Sequence, residues 1–308
     1  MILTVTLNAA LDITYRVPRL RPHSTHRITE VSERPGGKGL NVARVLAALG
    51  HRTVATGFAG GGTGEALRAQ LADTDVTDAL VPVGGATRRT VAVVDEATGD
   101  TTQLNEPGPT VSPAEWDAFL RTYRELLTEA RAVALCGSLP PGVPVDVYAR
   151  LTRAARSAGV PVLLDTSGEP LRRGLAARPD LAKPNADELA ALTGSTEPLR
   201  AARDARRRGA HAVAASLGPA GMLAVTADGT WQAAPPQRIP GNPTGAGDSA
   251  VAGLLSGLVE ELPWPDRLTR AVALSAATVR APAAGEFDPE TYEDLLPRVV
   301  VTDRPSAA

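Results

Sequence analysis

Short apolar runs alternate with longer segments of helical period along most of the 308-residue chain. This alternation is typical of repeated strand–helix–strand units, because parallel strands need a crossover connection that is usually a helix. The runs that predict core strands are Ile2–Leu7, Thr53–Phe58, Ala132–Cys136, Val160–Asp165, Asp180–Lys183 and His211–Ser216. The segments that predict helices are Leu40–Leu49, Thr63–Leu71 and the segment from the Ser112/Glu115 capping pair to Ala130. The sequence therefore predicts an α/β fold with a mainly parallel sheet flanked by helices.

Two segments, at about 12–33 and 87–105, interrupt this alternation. Their predicted strands are less apolar and alternate between polar and apolar residues. The strands predicted there are Ile13–Val17, His26–Glu30, Thr90–Val94 and Thr101–Asn105. They indicate either a small separate sheet or an antiparallel edge of the main sheet. The terminal segment Thr302–Ala308 is predicted to be frayed.

Composition narrows the possible partners. A net charge of −2, a pI of about 6.1 and few aromatic residues argue against nucleic acid or anionic lipid as a partner. No apolar run approaches the roughly 18 residues of a membrane span. The single cysteine, Cys136, cannot form an internal disulfide, and the amino terminus lacks a basic region before its apolar stretch. These features together favour an enzyme of the cytoplasm.

The segment Pro243–Ser249, with sequence PTGAGDS, precedes a helical run of small residues. Gly245, Ala246 and Gly247 lie where backbone amides at a helix amino terminus can bind an anion. A carboxylate beside an anion site is repulsive unless it has a chemical role, and the role expected for Asp248 is to take a proton from an attacking hydroxyl. The alternative is that Asp248 only caps the helix.

A second glycine loop, Pro35–Asn41, opens the next predicted helix. Gly36 and Gly37 allow the backbone to approach a ligand closely, while Lys38 and Asn41 supply a cation and an amide. This set suits an anionic ligand with many hydroxyl groups. The loop lacks the spacing of a P-loop, and no segment has the G-x-G-x-x-G spacing of a dinucleotide fold.

Two further motifs have a structural and a functional interpretation. Asn185 and Glu188 have the spacing of a reciprocal helix cap, yet their oxygens also suit magnesium near a phosphate chain. Ser216, Gly218 and Gly221 form a glycine turn that either closes a hairpin or holds a nucleotide.

In this order, the motifs resemble those of the PfkB carbohydrate kinases, which have the ribokinase-like fold. The similarity covers nearly the whole chain and is closest to the branch that contains 1-phosphofructokinase, tagatose-6-phosphate kinase and the minor 6-phosphofructokinase. The motifs concerned are Thr4–Asn8 with Asp12, Gly36–Arg44, Gly137–Gly142, Lys183–Asn185 with Glu188, Ser216–Gly218 and Thr244–Asp248. The resemblance implies a single three-layer αβα kinase domain over residues 1–308, in which the segments at about 12–33 and 87–105 form a small β-sheet lid. It also implies a homodimer through this lid.

The resemblance also implies roles for individual residues, with ATP and Mg²⁺ as cofactors. Asp248 would be the catalytic base, with Gly245, Ala246 and Gly247 as its anion hole. The residues expected to contact the sugar are Asp12, Gly36, Gly37 and Asn41. The residues expected along the nucleotide are Lys183, Asn185, Ser216, Gly218 and Gly221, with Asn185 and Glu188 near the metal.

A phosphosugar kinase also needs cations for the phosphate that its substrate already carries. Arg27 and Arg88, both on predicted lid strands, match such positions, and a planar guanidinium suits phosphate oxygens. Arg89 competes with Arg88, while Lys38 and Ser138 are further candidates. If the substrate were an unphosphorylated sugar, Arg27 and Arg88 would have no substrate phosphate to bind.

The expected reaction is phosphorylation of fructose 1-phosphate, with tagatose 6-phosphate and fructose 6-phosphate as alternatives. Two departures from the family pattern bear on this expectation. Asn242 replaces a frequent aspartate, which affects the expected cation dependence, and Thr25 replaces a lysine of the 6-phosphofructokinase. A non-catalytic sugar- or nucleotide-binding regulator is the alternative from another class, and retention of Asp248 argues against it.

Only two of the 32 basic residues are lysines, Lys38 and Lys183. Both fall inside motifs that were found without regard to charge. This placement favours a requirement for a compact ammonium group at each position.

Overall fold

The computed structural model describes residues 1–304. The strands are β1 (Ile2–Thr6), β2 (Ala10–Val17), β3 (Glu30–Gly36), β4 (Thr53–Ala59), β5 (Val76–Pro82), β6 (Arg88–Asp95), β7 (Thr101–Asn105), β8 (Ala132–Cys136), β9 (Val162–Asp165), β10 (Leu181–Ala182), β11 (Ala212–Ser216), β12 (Met222–Val225), β13 (Thr230–Ala234) and β14 (Val300–Asp303). The helices are α1 (Lys38–Ala48), α2 (Gly61–Leu71), α3 (Pro113–Leu127), α4 (Val147–Ser157), α5 (Gly168–Ala176), α6 (Ala186–Thr193), α7 (Pro198–Arg207), α8 (Ala246–Val259), α9 (Trp264–Thr278) and α10 (Pro289–Leu295). Each of the six predicted core strands and three predicted helices is present, with boundaries shifted by three residues or fewer.

The main sheet has ten strands in the order β14-β13-β12-β11-β10-β9-β8-β1-β4-β5. Neighbours from β11 to β5 are parallel, and β12, β13 and β14 continue the sheet in antiparallel fashion. The prediction of a mainly parallel sheet is confirmed.

Alternate side chains of the central strands pack on opposite faces of this sheet. Leu3 and Val5 join one buried cluster with α3, α4 and α7, whereas Ile2 joins a second cluster with α1, α8 and α9. Because both faces are covered, the strands read as continuous apolar runs in the sequence. The arrangement is three layers, helix–sheet–helix.

The strand order reverses between β1 and β8. From β1 the chain continues to β4 and β5 on one side, and from β8 to β9, β10 and β11 on the other. In open α/β sheets a ligand crevice forms outside the carboxyl ends of the strands at this point. This edge of the sheet is where the candidate site lies.

A separate four-stranded sheet has the order β3-β2-β6-β7. The interpretation of these strands as an edge of the main sheet is therefore wrong. The predicted strand His26–Glu30 is also wrong, because the strand here is β3, which begins at Glu30 and ends at Gly36. Its position at the edge of the small sheet tolerates Pro35, which has no amide hydrogen to donate.

The end of the described chain differs from the sequence-based expectation. Thr302 and Asp303, predicted to be frayed, belong to β14, which pairs with β13. The rest of that predicted segment, after Arg304, lies outside the described residues. Within residues 1–304, no helix combines the length and the apolar character that a membrane crossing requires.

Candidate active site

A polar cavity of about 250 Å³ opens at the switch point between β1 and β8. It is lined by Asn8 after β1, by Ser138 after β8 and by Lys38 at the start of α1. Arg88 from the small sheet and Glu188 from α6 also line it. The Asn8 amide nitrogen donates to the Ser138 hydroxyl over 3.1 Å, which joins the two strand ends. We call this the switch-point cavity.

The small sheet places Arg88 over this cavity. The Arg88 guanidinium donates to the backbone oxygens of Asn8 and Glu106, at 3.2 and 3.4 Å, and to the Thr90 hydroxyl at 3.4 Å. No carboxylate in the described chain pairs with it. Arg89, the next residue on the strand, is exposed and bound to the Glu106 carboxylate at 2.7 Å. Strand alternation thus separates two arginines that the sequence alone did not distinguish.

Asp12 lies on the same face of the small sheet as Arg88, and its carboxylate fills the space beside Gly36. A Cβ atom at position 36 would overlap this carboxylate. Burial raises the pKa of Asp12 to about 6, although the Thr90 hydroxyl and the positive charge of Arg88 oppose the shift. The glycine therefore makes room for a carboxylate poised to accept a hydrogen bond from a ligand hydroxyl.

The loop before α1 directs the amino end of this helix toward the site. Gly37 has φ of 104°, a conformation that favours glycine, and it ends the loop at the helix N-cap. Four residues later, the Asn41 side chain is buried, and its amide nitrogen donates to the Asp248 carboxylate at 2.8 Å. The two glycine loops of the sequence thus meet at this hydrogen bond.

Asp248 lies in the first turn of α8, whose N-cap is Gly245 with φ of 85°. The α8 N-cap has no side-chain hydrogen bond, and the described contact of the Asp248 carboxylate is with Asn41. Helix capping therefore does not explain the aspartate. The residue is 8% exposed, so it is sheltered from bulk water.

The surroundings of Asp248 favour its protonated form. Burial, and then the negative charge of Asp165, raise its pKa to about 6, against the opposing effects of Asn41, Lys38 and Lys183. A base with a pKa near the working pH is effective at proton transfer.

We expect Asp248→Asn to stabilise the folded protein at pH 8 but not at pH 4. Because the folded-state pKa of Asp248 is raised, its contribution to stability is present at low pH and is lost as the pH rises through about 6. Asparagine avoids this loss, which is at most about 3 kcal/mol for a shift of this size. Denaturant unfolding from pH 4 to 8 measures the difference. Asp73→Asn, at an exposed position, is the matched control, and a difference that does not depend on pH would contradict the shift.

A second cavity, of about 550 Å³, lies on the other side of the glycine loop of α8. We call it the hairpin cavity, because the turn between β11 and β12 forms one wall. The predicted nucleotide residues that line it are Asn185, Ser216, Gly218 and Gly221, together with Ala246 and Gly247 of the anion-hole loop. The turn is a hairpin, as one interpretation of the sequence held, and it also borders a cavity of ligand size.

The amino end of α6 lies between the two cavities. Asn185 and Glu188 form the predicted capping box, with two reciprocal hydrogen bonds of 2.8 Å. Asn185 lines the hairpin cavity, whereas Glu188 lines the switch-point cavity. Within residues 1–304, no three acidic, histidine or cysteine side chains converge as a metal-binding group.

The two lysines lie close together in the site. The Lys38 and Lys183 ammonium groups are 3.3 and 3.5 Å from one oxygen of Asp165, which is 1% exposed. Burial lowers the pKa of Lys38, but the charges of Asp165, Asp248 and Glu188 outweigh it and raise that pKa above its usual range. Asp165 was not among the predicted site residues, although it ends the apolar strand β9 at this edge of the sheet.

Arg27 is the one predicted site residue that the structure does not bring near either cavity. It is exposed in the connection between β2 and β3 and not on a strand of the small sheet, so its predicted placement is wrong. The predicted residues that line the switch-point cavity are Gly37, Lys38, Arg88, Ser138 and Glu188, and those that line the hairpin cavity are Asn185, Ser216, Gly218, Gly221, Ala246 and Gly247. The remaining predicted residues line neither cavity but adjoin these elements: Asp12 and Gly36 on the small sheet, Asn41 in α1, Lys183 before α6, and Gly245 and Asp248 at the start of α8.

The fold is that of the ribokinase-like kinases. The structure superimposes on Arabidopsis thaliana ribokinase, solved with ribose and ATP, with a TM-score of 0.74 over 96% of this chain and 98% of that one, at 24% identity. It matches phosphofructokinase-2 from Escherichia coli more closely, with a TM-score of 0.89, 32% identity, and the same coverage of the two chains. Solved forms of the latter enzyme include a complex with fructose 6-phosphate and a tetrameric inhibited form.

Within this class, residues 5–291 match the model of the pfkB family of carbohydrate kinases. The chain is also 40% identical over 294 residues to a 1-phosphofructokinase of Rhodobacter capsulatus, a match that covers 94% of this chain and 92% of the relative. The chain belongs to the pfkB carbohydrate kinase family.

Proposed function

We propose that this kinase transfers the γ-phosphate of ATP to the 6-hydroxyl of fructose 1-phosphate, which gives fructose 1,6-bisphosphate. The observation that carries the proposal is the position of Asp248. Its buried carboxylate accepts a hydrogen bond from Asn41 and lies at the start of α8, directly after Ala246 and Gly247, which line the larger cavity. Asn41 lies one turn after Gly37 and Lys38, which line the cavity that also contains Arg88. One cavity suits a phosphosugar and the other a nucleotide.

The cations of the switch-point cavity support a substrate that already carries a phosphate. Arg88 has neutral hydrogen-bond partners only, so its charge is available for an anion. Lys38 and Ser138 line the same cavity, and Asp12 offers a carboxylate to sugar hydroxyls. Among ketohexose phosphates, the name of the Rhodobacter capsulatus relative favours fructose 1-phosphate over tagatose 6-phosphate and fructose 6-phosphate.

The hairpin cavity suits ATP. Its glycine turn at Gly218 and Gly221 lets the backbone lie close to a flat ligand, and Ala276 and Val279 from the end of α9 supply apolar contacts. Ala246 and Gly247 border the same space, so the phosphate chain would end at the amino terminus of α8.

The reaction then requires one proton transfer and one displacement. Asp248 accepts the proton of the sugar hydroxyl as this oxygen forms a bond to the γ-phosphorus, and the bond from that phosphorus to the bridging oxygen breaks to release ADP. The amides of Gly245, Ala246 and Gly247 and the ammonium of Lys183 stabilise the charge on the transferring group.

Magnesium fits the amino end of α6. Asn185 and Glu188 supply only oxygen ligands, and Glu188 uses one carboxylate oxygen for the cap, which leaves the other free. Magnesium commonly binds to one or two carboxylates, water and substrate phosphates, so a preformed cluster is not needed. When bound, the ion neutralises charge on the phosphates of ATP.

The small sheet is proposed to be a lid and a dimer surface. Its face opposite Asp12 and Arg88 carries aligned apolar residues, since Val31 and Val93 flank Tyr15, and Leu104 pairs with Val91. Val31 is 55% and Leu104 60% exposed, so this face has uncovered apolar surface. A second copy of the chain would cover it, and closure of the lid would exclude water from the site.

As its relatives are kinases of small metabolites, we place the enzyme in the cytoplasm.

We expect the double variant Val31→Asp/Leu104→Asp to be monomeric where the wild type is dimeric. Burying two carboxylates in an apolar interface is unfavourable, so association should be lost. Light scattering after size-exclusion chromatography measures the mass. Val300→Asp, which alters an equally exposed apolar residue on β14, should leave the dimer intact. A monomeric wild type, or a dimeric double variant, would contradict this assignment.

Phosphorus NMR of the product tests the proposed reaction. With fructose 1-phosphate and ATP, we expect a sugar bisphosphate that carries phosphoryl groups on carbons 1 and 6, formed together with ADP. Transfer to another hydroxyl, or formation of inorganic phosphate alone, would contradict the proposal.

A further inference from the structure

The two lysines of this arginine-rich chain share one carboxylate oxygen. The ammonium groups of Lys38 and Lys183 lie 3.3 and 3.5 Å from Oδ1 of Asp165. Asp165 and Lys183 are 1% and 4% exposed, so most of this cluster is closed to water. The other carboxylate oxygen, Oδ2, is buried without a hydrogen-bond partner in the described chain. The described polar partners of the Asp165 carboxylate are therefore these two ammonium groups.

The ends of the parallel strands bring the three groups together. Asp165 ends β9 in register with Cys136 at the end of β8, and Lys183 directly follows β10, the next strand of the sheet. Lys38 begins α1 on the far side of β8 and reaches across to the same oxygen.

The two lysines point to different parts of the proposed site. Lys38 lines the switch-point cavity. The Lys183 ammonium lies 3.7 Å from the position that a Cβ atom on Gly247 would occupy, and Gly247 lines the hairpin cavity. The shared carboxylate thus joins a lysine that lines one cavity to a lysine that lies beside the lining of the other.

Asp165 also keeps the two lysines from pairing with the Asp248 carboxylate. The positive charges of Lys38 and Lys183 favour the ionised form of Asp248, yet neither lysine forms an ion pair with it in the described chain. A lysine bound to Asp248 would favour its ionised form and occupy the oxygen that must accept a proton. By binding both lysines, Asp165 leaves Asp248 with Asn41 as its hydrogen-bond partner.

We propose that Asp165 is a positioning residue which holds Lys38 and Lys183 on the two sides of the transferring phosphoryl group and away from the catalytic base. This inference rests on the kinase reaction proposed above. Lysine suits the arrangement because its compact ammonium lets two cations share one oxygen, which a planar, forked guanidinium does not permit as readily.

Kinetics of Asp165→Asn give the first test. The variant keeps the shape but loses the charge, so we expect kcat to fall about 10- to 100-fold through misplaced lysines, with each KM within about threefold of wild type. Asp180→Asn is the matched control, because Asp180 lies at the opposite end of the adjacent strands and binds the Val162 amide. We expect its kcat to equal that of the wild type.

A double-mutant cycle separates positioning from a general structural effect. Lys183→Met should lower kcat much less in the Asp165→Asn background than in the wild type, because the lysine is already misplaced there. Additive effects would overturn the proposal, as would an unchanged kcat in Asp165→Asn. A change confined to the magnesium dependence would also overturn it, since Asp165 would then act on the metal.

Lysine NMR tests the shared contact without any need for activity. Protein labelled with ¹³C-lysine has only two lysine side chains to observe. We expect both Hε–Cε signals to shift in Asp165→Asn. Lys183→Arg is a second variant that keeps the Asp165 carboxylate, so the test remains possible if Asp165→Asn does not fold. In Lys183→Arg we expect the Lys38 signal to shift. An unmoved Lys38 signal in Lys183→Arg would overturn the shared contact. Because this readout is independent of substrate, a failure of the proposed reaction remains distinguishable from a failure of this inference.

Discussion

Asp248→Asn is expected to lower kcat by roughly 10²- to 10⁴-fold, the contribution that a positioned general base usually makes. Asparagine has the same shape and can still accept the hydrogen bond from Asn41, so the two cavities should keep their form. We therefore expect the KM values for ATP and for the sugar phosphate to change little. Steady-state assays of ADP release provide the measurement.

Asp266→Asn is the control for this variant. Asp266 also lies in the first turn of a helix, α9, but it is exposed and borders neither cavity. Its rate should equal that of the wild type. If Asp248→Asn turned over as fast as the wild type, the proton would have to leave by another route, and the proposed mechanism would be wrong.

Arg88→Gln is expected to raise the KM for the sugar phosphate on the order of 10²-fold, with a much smaller effect on the KM for ATP. Hydrogen bonds to a charged partner contribute about 1.5–3 kcal/mol, which corresponds to a factor of about 10 to 150. Glutamine keeps a donor and some reach but no charge, so the phosphate would lose its ionic partner.

The neighbouring residue provides an unusually close control. Arg89→Gln removes an identical charge from the same strand, yet Arg89 is exposed and bound to Glu106, so its KM for the sugar phosphate should stay near the wild-type value. If both substitutions raised the KM for the sugar phosphate equally, the substrate would be bound through the general positive charge of the small sheet. A specific contact with Arg88 would then be excluded.

The α/β core could be predicted because its signal is local and strong. Continuous apolar runs such as Ala132–Cys136 are typical of strands covered on both faces, and this strand has the predicted bounds. The capping pair at Ser112 and Glu115 was equally reliable, since both reciprocal hydrogen bonds are present. Here the local sequence and the tertiary structure agree.

The small sheet shows where sequence patterns fail. The polar alternation of His26–Glu30 predicts a strand there, yet the strand that forms is Glu30–Gly36, which extends into the predicted glycine loop. Position at a sheet edge and room for the Asp12 carboxylate decided the outcome, and neither is visible locally. The misplacement of Arg27 follows directly from this error.

The glycine loops, Asp248 and both lysines could be recognised in the sequence, whereas the buried carboxylate of Asp165 could not. Asp165 has no motif of its own, because its role depends on β9 and β10 being neighbours in the sheet. The signal that could have found it is the pair Lys38 and Lys183. These are the only two lysines in the sequence, and both fall in predicted site motifs. Their positive charges predict a buried carboxylate near the strand ends.

A coupled assay of ADP release across four sugars tests the central proposal most directly. The substrates are fructose 1-phosphate, fructose 6-phosphate, tagatose 6-phosphate and unphosphorylated fructose, each with saturating MgATP. We expect the highest kcat/KM with fructose 1-phosphate and the lowest with free fructose, because only the phosphorylated sugars carry a phosphate that can bind Arg88. The highest kcat/KM with free fructose would contradict the account.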